Sequence, residues 1–107
     1  MIECLVVRRK TDILSFQVKG HAGFADVGND VVCAAVSALV TNAVNSCEGL
    51  LQVKPQVHDD GETLACDLLG SVRADVQLLF QSMVFGLKEI ARDYPHNVKV
   101  RLVEAKE

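Results

Sequence analysis

Cys33 is the residue of this chain that is best placed to act as a nucleophile. Asp30 directly precedes an apolar pattern with helical spacing, so it is the expected N-cap, and Cys33 falls in the first turn of the helix. There the free backbone N–H groups and the helix dipole favour a thiolate, the attacking form of cysteine. The charge of Asp30 opposes this effect, so an abundant thiolate also requires a nearby cation.

His21 is the candidate for that cation. It stands twelve residues before Cys33, at the start of a glycine-rich segment long enough to fold back onto the helix. A histidine beside a cysteine can take the thiol proton, hold the thiolate as an ion pair and later protonate a leaving amine. The two residues also fit a structural interpretation, with Cys33 packed in a core and His21 bonded to loop backbone. Spacing alone leaves both interpretations open.

The remaining polar and sulfur-bearing residues predict less chemistry. Ser37 lies one helical turn beyond Cys33, where it can bond near the thiol or the substrate, although back-bonding to the Cys33 carbonyl is the default. The other three cysteines, Cys4, Cys47 and Cys66, fall on apolar faces and are expected to be packing residues. No two cysteines are two to four residues apart, and His58 and His96 stand alone, so no metal or other cofactor is expected.

Composition predicts one globular domain over residues 1–107. Half of the residues are hydrophobic and the formal charge is only −3, which excludes a disordered chain. The pI of about 5.5 gives no basic surface for a nucleic acid. Basic residues follow the short N-terminal apolar patch, which is the wrong order for a signal peptide, and polar residues break the longest apolar run. We therefore expect a cytoplasmic protein with reduced thiols and no contact with a membrane.

Alternation and helical periodicity predict seven elements in the order ββαββαβ. The strands are expected near residues 2–8, 14–18, 53–57, 64–68 and 98–103, and the helices at about 31–51 and 71–93, the second with Ser71 as N-cap and Val72 on its apolar stripe. Pro55 suggests that its strand lies at an edge of the sheet or contains a bulge. The two hairpins and a closing strand predict an α+β domain with a mainly antiparallel sheet and both helices on one face. A five-stranded sheet covered on one face leaves apolar area to be buried elsewhere, which makes a homodimer plausible.

Two segments together resemble the signature of the ribosomal-processing cysteine protease family. They are Gly20-His21-Ala22-Gly23 and Gly28-Asn29-Asp30-Val31-Val32-Cys33-Ala34-Ala35-Val36-Ser37. A glycine-histidine pair alone would carry no information, but both halves occur at the family's spacing. The length and the element order are also similar to those of the family, so the resemblance covers essentially the whole chain.

The resemblance implies a role for each matching residue. It makes Cys33 the nucleophile and His21 its catalytic partner, with Asp30 and Ser37 in support. It implies an enzyme that works as a homodimer and removes a short N-terminal extension from a large-subunit bacterial ribosomal protein. It also implies a mobile loop between histidine and cysteine. Glycines Gly20, Gly23 and Gly28 would serve as hinges of that loop.

Two questions stay open at this point. Asp30 either caps the helix through the Cys33 N–H, which would take that N–H away from an oxyanion, or orients His21 as the third member of a triad. The chain as a whole is either an endopeptidase or a non-catalytic ribosome-associated module that binds a peptide with the same loop. A redox sensor is disfavoured, because no second cysteine lies near Cys33 in the sequence.

Overall fold

The computed structural model describes residues 1–25 and 30–106, and it confirms the predicted α+β order. The elements in chain order are β1 (Ile2–Arg9), β2 (Asp12–Lys19), α1 (Val31–Leu51), β3 (Gln56–Asp59), β4 (Thr63–Asp67), α2 (Ala74–Asp93) and β5 (Val98–Glu104).

The five strands form one sheet in the order β3-β4-β2-β1-β5. Three neighbouring pairs are antiparallel and the β1–β5 pair is parallel, so the sheet is mainly antiparallel, as expected. The strand β3 does lie at an edge, but it begins after Pro55 and not at Val53. A proline just before an edge strand leaves no ladder position without its N–H donor.

Both helices pack on one face of the sheet, and this packing defines the core. Side chains of β1 alternate between buried and exposed, and the inward ones meet the buried stripes of the helices. The rings of Phe16 and Phe80, 5.6 Å apart, join β2 to α2. Among the helices of the described residues, α1 is the one that is long and apolar enough to cross a bilayer. Its buried stripe of Val32, Val36, Val40, Ala43 and Cys47 belongs to the core of the domain.

Two local predictions were wrong. Helix α2 begins at Ala74, and neither Ser71 nor its N-cap Arg73 caps it with a side chain. Leu69 and Gly70 have positive φ and form a turn in which the Ser71 N–H donates to the Leu68 carbonyl, so the chain is not yet helical at Ser71 and Val72 is exposed.

The strand β2 also departs from simple alternation. A bulge opposite Val7 and Arg8 shifts the register, and Ile13 instead of Leu14 enters the core. Beside the bulge, the buried side chain of Gln77 on α2 bonds to both backbone polar groups of Ile13. Its Oε1 accepts from the Ile13 N–H at 2.7 Å, and its Nε2 donates to the Ile13 carbonyl and to the Ser71 carbonyl, both at 2.9 Å.

We predict that Gln77→Met destabilises the domain although it keeps the size of the side chain. The substitution leaves the buried Ile13 N–H and carbonyl without partners, and it should lower the free energy of unfolding by about 2 kcal/mol in urea denaturation. The matched control is Gln81→Met, at an exposed position one turn further along α2, for which a change within about 0.5 kcal/mol is expected. Equal effects of the two substitutions would refute the role given to Gln77.

Candidate active site

Gly20 brings the chain from β2 to His21 through a close backbone contact. Its φ is +90°, and a Cβ at this position would stand 2.5 Å from the carbonyl oxygen of Met1. Its N–H donates to the Glu62 carbonyl in the β3–β4 turn at 3.2 Å. Because contacts on two sides fix this glycine, they also fix the position of the His21 backbone that follows it. Gly23 has φ +67° and open space around it, and the third hinge candidate, Gly28, lies outside the described residues.

Asp30 caps α1 and also holds the loop before it. Its Oδ1 accepts from the N–H groups of Val32 and Cys33, at 3.0 and 2.9 Å, and its Oδ2 accepts from the Phe24 N–H at 3.1 Å. These bonds to the charged form, the one from Cys33 foremost, keep the pKa of the Asp30 carboxyl below its usual range. The N-cap prediction is therefore confirmed.

The cap limits what else the helix start can do. Among the described residues, neither Asp30 oxygen bonds to His21, so the structure contains no triad through Asp30. The carboxylate near His21 is that of Glu62, with Oε2 at 3.9 Å from Nε2. The Ala34 N–H donates to the Asp30 carbonyl. Since the N–H groups of Val32, Cys33 and Ala34 are all engaged, an oxyanion would have to find its donors elsewhere.

The Cys33 sulfur is half-buried and accepts a hydrogen bond from the loop. The Ala22 N–H points at Sγ with an N···S distance of 3.1 Å. Ala22 itself is 1% exposed, whereas the His21 side chain next to it is 61% exposed. Within the described part of the chain, no hydrogen bond joins the imidazole to the sulfur. His21 and Cys33 thus share a site in which the backbone N–H of Ala22, and not the imidazole, donates a hydrogen bond to the thiol.

Two grooves meet at this site. The helix–hairpin groove, about 240 Å³, runs between α1 and the β3–β4 hairpin, and the loop groove, about 290 Å³, runs along the start of α1. His21, Cys33 and Ser37 line both of them. A peptide that occupied both grooves would therefore pass directly over the thiol.

Ser37 faces these grooves instead of the helix backbone. Its hydroxyl makes no hydrogen bond to the carbonyl of Cys33, and both residues are within the described part of the chain, so the expected back-bonding is absent. The side chain is exposed, which leaves the hydroxyl available to a bound molecule.

The other three cysteines are chemically different from Cys33. All four are free thiols, but Cys4, Cys47 and Cys66 are buried. Burial raises the pKa of the Cys4 thiol to about 11 and that of Cys66 to about 12, and it also raises the pKa of Cys47. Near neutral pH these three thiols remain protonated and shielded from solvent. Thiol-alkylating reagents should therefore modify Cys33 first. Over residues 1–25 and 30–106, no three His, Cys, Asp or Glu side chains assemble into a metal site.

Sequence reasoning missed the residues that hold the histidine segment from outside. The Asn97 Nδ2 donates to the Ala22 carbonyl at 3.0 Å, and the ring of Tyr94 meets Phe24 edge to face at 5.5 Å. Both partners come from the turn between α2 and β5, at least seventy positions further along the chain. A lone asparagine or tyrosine in a turn gives no local signal of such a contact.

Comparison with known proteins identifies the family. The profile of the family described as Cysteine protease Prp matches residues 1–99. The chain belongs to this family. It is 39% identical over 102 residues to the ribosomal processing cysteine protease Prp of Bacillus subtilis, which covers 88% of this chain and 91% of that protein.

Solved structures of the Prp family and its relatives have the same fold. The Streptococcus mutans protein SMU.848 is 33% identical with a TM-score of 0.86, over 98% of this chain and 96% of that one. The Prp of Staphylococcus aureus, solved with a covalently linked product peptide, is 26% identical with a TM-score of 0.91, over 96% and 100% of the two chains. Membership of the Prp family makes this chain a cysteine protease and disfavours the non-catalytic interpretation.

We predict that Asp30→Ala lowers the melting temperature by on the order of 5 °C, because the helix and loop N–H groups lose their acceptor. Asp30→Asn should cost less, since one amide oxygen can still cap the helix. The folded-state pKa of Asp30 is depressed, so its charge contributes stability that is complete above about pH 5 and is lost as the pH falls through that pKa. Melting curves should therefore show a gap between wild type and Asp30→Asn that narrows with acidification. A gap independent of pH would contradict this account.

Proposed function

We propose that this chain cleaves a peptide bond with Cys33 as nucleophile and His21 as proton carrier. The observation that carries the proposal is the position of the Cys33 sulfur. It is the one thiol among four that is not buried, it lies in the first turn of α1, and it stands beside His21 where two grooves meet.

The reaction follows from these two side chains. His21 takes the thiol proton, and the thiolate attacks the scissile carbonyl carbon, forming an S–C bond and an oxyanion. When the oxyanion collapses, the C–N bond breaks and His21 returns the proton to the leaving amine. Water, deprotonated by His21, then displaces the thiolate from the acyl-enzyme and releases the acid. The covalently linked product peptide of the Staphylococcus aureus relative supports a covalent route.

The proposed substrate is the N-terminal extension of a large-subunit bacterial ribosomal protein. Relatives are named ribosomal processing proteases, which supports the class of substrate. The charges of the site fit a basic tail, because Asp59 and Glu62 line the helix–hairpin groove and the chain is acidic overall. The N-terminal tail of the substrate could bind in this groove without any contact between the enzyme and ribosomal RNA or a membrane.

We predict that the protein cleaves a synthetic peptide with the sequence of such an extension. Cys33→Ser should reduce kcat/KM by at least about 1,000-fold, and His21→Ala by at least about 100-fold. Chromatography and mass spectrometry of the products provide the measurement. Matched controls are Cys47→Ala, at the far end of the same helix, and His58→Ala, an exposed histidine on β3. Both should retain activity. Cleavage that survives Cys33→Ser would refute the nucleophile.

We further propose that the enzyme acts in the cytoplasm as a homodimer. Large apolar side chains are exposed together on the outer surface of the helices: Leu78 and Phe85 lie on one face of α2, 66% and 69% exposed, and Leu50 at the end of α1 is 73% exposed. Leu50 and Leu78 line one apolar depression. Apolar side chains gathered in this way favour association with a second copy.

We predict a solution mass of twice 11.6 kDa in light scattering. Leu78→Glu combined with Phe85→Glu should give the monomer mass. The matched control is Val103→Glu on the uncovered face of the sheet, which should leave the dimer intact. A monomeric wild type, or a dimer dissociated only by Val103→Glu, would contradict the proposed surface.

A further inference from the structure

Ala22 is held by hydrogen bonds at both of its backbone polar groups. Its N–H donates to the Cys33 sulfur, at 3.1 Å, and its carbonyl accepts from the Asn97 side chain, at 3.0 Å. The two groups lie in the peptide planes on either side of the Ala22 Cα, separated only by its φ and ψ angles, so the bond to Asn97 limits how the N–H can turn. The side chain of Asn97 is thus linked to the sulfur through a single residue.

Asn97 is itself anchored to the sheet. Its N–H donates to the Tyr94 carbonyl at 3.0 Å, and its own carbonyl accepts from the Ile2 N–H, at 2.8 Å, where β1 begins. The Tyr94 ring adds the contact with Phe24 on the same segment. Both backbone polar groups of Asn97 are therefore hydrogen-bonded, which fixes the position from which its side-chain amide reaches Ala22.

We infer that Asn97 is a positioning residue, which aims the Ala22 N–H at Cys33 and thereby favours the thiolate. An N–H donor stabilises an anionic sulfur more than a neutral thiol, because hydrogen bonds to charged acceptors are the stronger ones. Among the described residues, this is the one hydrogen bond that the sulfur accepts. The inference deepens the proposed function, since the thiolate that Asn97 supports is the proposed nucleophile.

The same bond has a structural component that the test must separate. Ala22 is buried, so its carbonyl without Asn97 would lack a partner, and some loss of stability is expected from any variant that removes the amide. A purely structural role would lower the melting temperature without changing how the reactivity of Cys33 depends on pH. The rate of thiol alkylation as a function of pH distinguishes the two.

The experiment measures the second-order rate of Cys33 alkylation by iodoacetamide from about pH 5 to 10, by intact mass, with Cys33→Ser as the blank. The variants are Asn97→Ala and Asn97→Leu, the latter close in shape but without a donor. The matched control is His96→Ala in the same turn. We expect both Asn97 variants to react about tenfold more slowly near pH 7 and to approach the wild-type rate at high pH, while the control follows wild type.

Profiles of the folded Asn97 variants that coincide with wild type across the pH range would overturn the inference. If Asn97→Ala does not fold, Asn97→Leu alone decides the question by the same criterion. Alkylation needs no substrate, so the outcome is independent of the proposed function. If the wild type cleaves its peptide but the alkylation profiles of wild type and Asn97 variants coincide, only the role of Asn97 is refuted. A wild type that fails to cleave, with shifted profiles, defeats only the peptidase proposal.

Discussion

The site depends first on the hydrogen bonds that the Asp30 carboxylate accepts. One oxygen takes two N–H groups of the first turn of α1, and the other takes the Phe24 N–H of the preceding loop. A single side chain thus fixes the start of the helix and the loop that faces it. Because Cys33 is one of the capped residues, its place relative to the loop is set by the same bonds. The cost is that the capped N–H groups are no longer available to a developing oxyanion.

The sheet fixes the other side of the site. The close approach of Gly20 to the Met1 carbonyl excludes any side chain at position 20, and the Ile2 N–H at the start of β1 donates to the Asn97 carbonyl. Strand β1 lies between β2 and β5 in the sheet, so both contacts begin at one rigid element. The histidine segment is therefore held by the sheet and the helix together, while the imidazole remains largely in solvent. An exposed ring beside a backbone-bonded thiol suits a site that completes its contacts around a bound peptide.

Much of the fold could be predicted from the sequence, because the deciding interactions are local. The helical spacing of apolar residues and the Asp30 cap predicted α1, and the alternation of apolar and polar residues predicted the strands. The start of α2 could not be predicted, because a turn with positive φ at Leu69, a residue type that rarely adopts it, delays the helix. The bulge in β2 could not be predicted either, and Gln77, which bonds the Ile13 backbone beside it, is sixty-four positions away.

Some residues of the site could likewise be predicted from the sequence and others could not. The cysteine and histidine could be found because their residue types and spacing are informative by themselves. Within residues 1–25 and 30–106, the carboxylate close to His21 belongs to Glu62, and the amide bonded to the Ala22 carbonyl belongs to Asn97. The packed sheet brings these residues there. The choice between a cap and a triad for Asp30 also required coordinates, because both uses begin with the same carboxylate at the same position.

If Cys33 is the nucleophile, its sulfur forms a covalent bond with the substrate, and this acyl-enzyme can be trapped. The protein would be mixed with the extended ribosomal peptide, quenched in acid within the first turnover and digested for mass spectrometry. The account predicts an adduct on the fragment that contains Cys33, heavier by the N-terminal product less one water. Complete cleavage with no adduct at any time, or with the adduct on another residue, would contradict it.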